Sequence, residues 1–278
     1  MAGRLAAATL ACTVGAVPLL TSGTASAAVP VVSGPFAGTV ALSNCSGSLV
    51  RGPWTRDADR ALVLTNGHCL ETGMPPAGKV IVDRPSSRAF RLLAPGGDHD
   101  LGTLTATRIE YATMTDTDVT VYRLRSTYAQ IRRKYGISAL RLSDTRPRAG
   151  TRIRVVSGYW RKTYSCGLDG FVYRMREAGW TWKDSLRYTS ECATIAGTSG
   201  SPILDARTRQ VIGVNNTGNE DGERCTLNNP CEVARDGTVT IRKGIGYGQQ
   251  TYLLARCLGR GSDVVLGGSC RLPRPASR

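Results

Sequence analysis

From residue 37 onward the chain is cut into short apolar runs, each bounded by glycine, proline, aspartate or asparagine, and this punctuation favours strands. The runs at 37–43, 47–50, 61–65, 79–83, 88–94, 103–112 and 118–124 are predicted strands, with turn clusters at 52–59, 72–78 and 95–100. One segment changes period. Within 127–135, Tyr128, Ile131 and Tyr135 share a helical face, and Gly136 is placed to end that helix. A second series of strands follows at 152–157, 170–174, 185–189, 202–204, 209–215, 237–242 and 245–248, with a short closing helix at 251–258. Many short strands in two series imply an all-β barrel or sandwich. The Gly/Pro/Arg-rich residues 259–278 are expected to lack order apart from a cysteine-closed loop.

The first 27 residues do not belong to that core. Arg4 supplies a positive start, Leu5 to Leu20 an apolar stretch, and Ala25-Ser26-Ala27 a small-residue cleavage site, the pattern of a secretory signal. Gly15 and Pro18 break the apolar run, which argues against a stable membrane anchor, and Cys12 lies inside that run rather than at a lipidation site. Of nine cysteines, eight remain after residue 27: Cys45, Cys69, Cys166, Cys192, Cys225, Cys231, Cys257 and Cys270. An even number in an exported chain points to disulfides, and the absence of C-x-x-C pairs argues against a metal site. His99, between Asp98 and Asp100 in a glycine-rich loop, is expected to be a solvated turn residue rather than a ligand. The net charge of +15, of which Arg4 carries one unit, favours anionic surfaces. The arginines are scattered, however, without the basic, aromatic-interleaved stretches of a nucleic-acid binder.

The chemistry concentrates in Gly197-Thr198-Ser199-Gly200-Ser201-Pro202. A serine between glycines in a tight turn presents its hydroxyl, and the amides of Gly197 and Ser199 can converge on a developing oxyanion. A hydroxyl needs a base. The only histidines, His68 and His99, both precede Ser199, which excludes the Ser…Asp…His order of α/β-hydrolases. His68 follows the apolar run that starts at Ala61, and Asp118 opens another at Asp118-Val-Thr-Val-Tyr122, giving the order His, Asp, Ser. Asp116, two residues earlier, competes with Asp118 for the acidic role.

Cys45-Ser-Gly-Ser-Leu-Val50, Leu64-Thr-Asn-Gly-His68-Cys69, Asp118-Val-Thr-Val121 and Gly197-Thr-Ser-Gly-Ser-Pro202 resemble, in order and spacing, the landmarks of trypsin-like serine peptidases over residues 35–256. The nucleophile motif looks like that of bacterial glutamyl endopeptidases and their relatives. The resemblance implies two antiparallel six-stranded β-barrels with a short interdomain helix and a short C-terminal helix. It divides the chain into a signal (1–27), a first barrel (28–126), a connection (127–150), a second barrel (151–258) and a tail (259–278). It also implies a His68–Asp118–Ser199 triad, a Cys45–Cys69 disulfide, protein or peptide substrates and no cofactor; secretion is the expectation from residues 1–27. Proximity in sequence then suggests Cys166–Cys192, Cys225–Cys231 and Cys257–Cys270.

The chain departs from the trypsin pattern at the substrate pocket and before the serine. Thr198 stands where an aspartate usually receives a newly cut N-terminus, so activation by propeptide removal is not expected. The pocket residues implied are Ala193, Thr194, Asn215, Asn216 and Thr217, a neutral set that predicts an uncharged residue at the cleavage position; the rival is that Glu220, Asp221, Glu223 and Glu232 in the loop after Gly218 fold over the pocket mouth and recruit arginine or lysine. The alternative from another class is a catalytically silent cationic binding protein on the same fold.

Overall fold

The computed structural model describes residues 1–3 and 32–276, so the leader expected over 1–27 lies outside them from residue 4 onward. The first series of strands is β1 (Thr39–Ala41), β2 (Ser46–Arg51), β3 (Arg60–Thr65), β4 (Val80–Pro85), β5 (Ala89–Leu93), β6 (Asp100–Thr113) and β7 (Val119–Thr127). Antiparallel pairing runs β1–β5–β6–β7–β3–β2 and returns to β1, which closes a six-stranded barrel. β4 lies outside the ring on the far half of β6.

Helix α1 (Tyr128–Tyr135) leads out of this barrel. Thr127 and Gln130 form a reciprocal capping box at its start, and Gly136, left-handed at φ 69°, closes it. β8 (Leu140–Arg141) then runs parallel to β2. The second series is β9 (Arg152–Ser157), β10 (Lys162–Glu177), β11 (Trp180–Tyr188), β12 (Pro202–Asp205), β13 (Val211–Gly218), β14 (Cys231–Val233), β15 (Val239–Ile241) and β16 (Gly246–Gln250). Here the ring is β9–β12–β13–β16–β11–β10 and back to β9, a second closed barrel, with β14 and β15 added on β10. Helix α2 (Tyr252–Cys257) follows. The chymotrypsin-like double barrel expected from the resemblance is the fold of this chain.

Continuous apolar runs such as Ala61-Leu-Val-Leu64 arise because these strands are buried on both faces. Ala61 and Val63 point into the first barrel with Leu49, Phe90 and Tyr122, whereas Leu62 and Leu64 point the other way. There they meet Val121 of the same barrel, Val156, Leu204 and Val214 of the second, and Leu254 of α2. Ile153, Val155, Leu186 and Ile203 fill the second barrel. Each such side chain contributes about 1.5–3 kcal/mol on burial, so the shared cluster fixes one barrel against the other.

Two expectations change. The strands foreseen at 170–174 and 185–189 are pieces of one long hairpin, β10 and β11, whose far end crosses to the first barrel. There Trp182 Nε1 donates to the Met114 carbonyl, and Trp180 Nε1 to that of Pro75. The tail also packs: Leu272 is buried, and Tyr111 donates its hydroxyl to the Pro273 carbonyl. The four disulfides are Cys45–Cys69, Cys166–Cys192, Cys225–Cys231 and Cys257–Cys270. Among the described residues no helix is long and apolar enough to cross a membrane.

Candidate active site

The turn after β3 carries His68. Its preceding residue is a glycine because nothing larger fits: a β-carbon on Gly67 would stand 2.3 Å from the Thr113 carbonyl oxygen and 2.9 Å from Asp118 Oδ1. That close approach lets Gly67 and His68 donate their amides to Asp118 Oδ1 at 2.5 and 3.1 Å. Asp118 Oδ2 lies 2.6 Å from His68 Nδ1. An ionised carboxylate there holds the proton on Nδ1 and leaves Nε2 as the basic nitrogen. The Cys45–Cys69 disulfide anchors the turn from the other side.

Asp118 is fully buried, and the His68 side chain is 18% exposed. Burial opposes a charge on the imidazole, but the Asp118 charge and hydrogen bond, with a further contribution from Glu177, outweigh it and raise the His68 pKa above its ordinary value. Asp116 is placed elsewhere: its carboxylate pairs with Lys183 at 2.7 Å on the surface. His99 is exposed and bonded to Asp98.

Ser199 comes from the second barrel, in the loop ahead of β12. Its carbonyl accepts the Ser46 amide at 2.7 Å, which ties the loop to β2 of the first barrel. Gly200 is held tighter still, since at φ 79° a β-carbon would fall 2.0 Å from the Ser46 carbonyl oxygen. Its amide donates to Asn66 Oδ1 at 2.5 Å and to the Asn215 carbonyl at 2.9 Å. Asn66, fully buried, donates its own Nδ2 to the Asp118 carbonyl at 2.8 Å. One side chain thus links the serine loop to the acid, a role that no motif in the sequence announced. The Ser199 hydroxyl donates to the Asn216 carbonyl at 3.1 Å, while His68 and Ser199 line the same cleft of about 360 Å³.

The amides of Gly197 and Ser199 have no acceptor among the described residues. Trp160 Nε1 donates to the Ala196 carbonyl at 2.8 Å. In a trans peptide the carbonyl and the next N–H point oppositely, so this bond turns the Gly197 amide away from Trp160. Thr198 is buried, its hydroxyl donating to the Ile195 carbonyl at 2.6 Å and accepting Asn215 Nδ2 at 3.0 Å. Asn215 Oδ1 in turn accepts the Tyr188 hydroxyl at 3.1 Å. The position before the serine is therefore satisfied internally.

Thr194, Asn215, Asn216 and Thr217 line the cleft, whereas Ala193 does not and instead closes the short 3₁₀ turn Ser190–Cys192. The expectation of a neutral pocket also omits Glu177, which lines the cleft from the end of β10. It is 4% exposed, and burial raises its carboxyl above the usual range despite help from Thr217 and from the Asn228 amide. Among the acids of the 219–232 loop, Glu232 is held by Arg187, Arg242 and the Tyr247 hydroxyl, leaving Glu220 as the one that reaches the cleft.

A trypsin-like peptidase domain model matches residues 45–214. No curated protein matches the chain. Among solved structures it is similar to the MamO protease domain from Magnetospirillum magneticum, with 12% identity over 81% of this chain and 97% of that one and a TM-score of 0.49. It is also similar to a protease from M. tuberculosis in its active form, with 14% identity over 94% and 98% and a TM-score of 0.48. For the Nocardiopsis protease NAPase the values are 15% identity, 82% and 95% coverage, and 0.46.

Proposed function

The chain belongs to the trypsin-like peptidase domain family, whose model spans more than half of it, and on that premise we propose that it is a secreted serine endopeptidase using His68, Asp118 and Ser199. The observation that carries this reading is the buried Asp118–His68 pair opening onto the cleft that Ser199 lines. In the proposed reaction His68 Nε2 takes the Ser199 proton as Oγ bonds to the substrate carbonyl carbon. The amides of Gly197 and Ser199 donate to the resulting oxyanion. Collapse breaks the C–N bond, and the imidazolium returns its proton to the leaving amine. Water, deprotonated by His68, then attacks the acyl-enzyme, releasing the acid and restoring Ser199. Asp118 keeps the imidazole in the required tautomer and stabilises its charged form.

The hydroxyl must rotate from the Asn216 carbonyl toward His68 when substrate enters, a tightening common to unliganded sites. Export through residues 1–27 belongs to the same proposal and is supported by four disulfides, which persist in oxidising compartments. In this reading 28–126 and 151–258 are the two barrel domains, joined through 127–150. The test is hydrolysis of a protein substrate such as casein by the mature chain. Ser199→Ala and His68→Ala each lower turnover by about 10⁴–10⁶-fold, Asp118→Asn lowers it severely, and Asp116→Asn has a mild effect. Full activity in a folded Ser199→Ala protein overturns the assignment.

A further inference from the structure

The chain carries 36 Lys and Arg against 21 Asp and Glu, so a buried acid has cations in abundance to pair with. Other shielded carboxylates use them. Glu110 is held by Arg108 and Arg123, and Glu232 by Arg187 and Arg242. Glu177 is as deeply buried and has none: among the described residues no Lys or Arg forms an ion pair with it. One oxygen, Oε1, accepts the Asn228 amide at 2.9 Å. No hydrogen bond of normal geometry reaches the other, Oε2, which is out of solvent; the Thr217 side chain stands near the carboxylate and favours its charged form without closing such a bond. A buried carboxylate without a full set of partners is unfavourable, and no lysine or arginine among the described residues relieves it.

Glu177 is also in a telling place. It lines the cleft with His68 and Ser199, and its charge is close enough to act on the His68 imidazole. Directly opposite it in the hairpin register is Trp180, whose ring lines the same cleft. A carboxylate paired with an indole is a receptor for a planar cation: with a small turn of the Glu177 side chain toward the cleft, the guanidinium donates to Oε2 and stacks on the ring.

We propose that Glu177 is a specificity-determining residue of this cleft, selecting substrates that place a basic side chain, arginine above lysine, against its Oε2 and Trp180. The inference rests on the peptidase reading above and adds the substrate class. It concerns a side chain near the scissile bond and leaves the neutral wall of Thr194, Asn216 and Thr217 to contact other substrate positions.

The experiment uses the mature chain and a set of quenched peptides built on one cleaved sequence. Arginine, lysine or citrulline, the neutral isostere of arginine, replaces each residue in turn on both sides of the bond. At one position kcat/KM for arginine exceeds that for citrulline by about tenfold or more, with lysine between. Glu177→Gln, which keeps the acceptor for Asn228, brings the ratio to about one. Glu177→Asp, which keeps the charge but shortens its reach, lowers the ratio without abolishing it. Equal rates for arginine and citrulline at every position of the unmodified enzyme overturn the proposal, as does a preference that either variant leaves at its original value. Fluorophosphonate labelling and cleavage of the citrulline peptides report the catalytic reading separately. If both are absent from the unmodified chain, the peptidase assignment fails; if both are present without a preference, only the role of Glu177 fails.

Discussion

Replacing Asn66 with alanine removes a side chain that bonds both the acid and the serine loop. The wild-type amide donates to the Asp118 carbonyl at 2.8 Å and accepts the Gly200 amide at 2.5 Å, in a site with no solvent exposure. Gly200 retains its second acceptor, the Asn215 carbonyl, whereas the Asp118 carbonyl loses a buried donor. Two lost bonds at about 1 kcal/mol each, plus part of the penalty for an unpaired buried carbonyl, amount to about 2–4 kcal/mol. The kinetic effect is separate, because the Gly200 contact sets where Ser199 stands relative to His68. A displacement approaching 1 Å costs up to about 10²-fold in rate, so kcat falls by roughly 10–100-fold with KM little changed. Stability is measured by urea unfolding in a Ser199→Ala background, which prevents self-digestion, using the fluorescence of the four tryptophans. Turnover is measured in the active background. A stability loss below about 1 kcal/mol together with kcat within twofold of wild type refutes the reasoning.

Three further outcomes are expected. Gly200→Ala forces a β-carbon onto the Ser46 carbonyl at a left-handed φ, so it prevents folding or abolishes turnover; an active, stable variant shows the loop to be looser than described. In the proposed mechanism His68 acts as a neutral base, and its pKa is raised, so kcat/KM is expected to rise with pH through a midpoint above the ordinary imidazole value of about 6.5. Any residual activity of Asp118→Asn has that midpoint moved down, and an unmoved limb excludes Asp118 as its cause. Since the Thr198 hydroxyl is satisfied by Ile195 and Asn215, one extra residue before Ala28 leaves activity intact; activity that appears only after a further defined cleavage contradicts this.

Much of the double barrel was legible because its strands are short, apolar and separated by glycine, proline and asparagine. The turn at Gly197–Ser201 and the Asn-Gly-His sequence marked the candidate site for a local reason: each needs a glycine where backbone or carboxylate approaches closely. The β10–β11 hairpin was only partly legible. Its projecting half alternates Arg174 and Arg176 with Tyr173 and Met175 and is exposed along much of its length, so it lacks the apolar run that marks a core strand. Glu177 was hidden as well, since the amide that holds it, that of Asn228, lies 51 residues away in the chain. Ala193 was assigned to the pocket by resemblance, but the 3₁₀ turn that it closes carries it out of the lining. Asn66 could be seen but not interpreted, because its two partners come from different barrels.

The most direct test of the central claim is covalent labelling of the mature, disulfide-bonded chain with a fluorophosphonate, followed by peptide mapping of the adduct. An activated serine is expected to give a single adduct on Ser199, lost in Ser199→Ala and strongly reduced in His68→Ala. A folded chain that takes up no label, or that is labelled on another serine, contradicts the assignment and favours a catalytically silent binding protein.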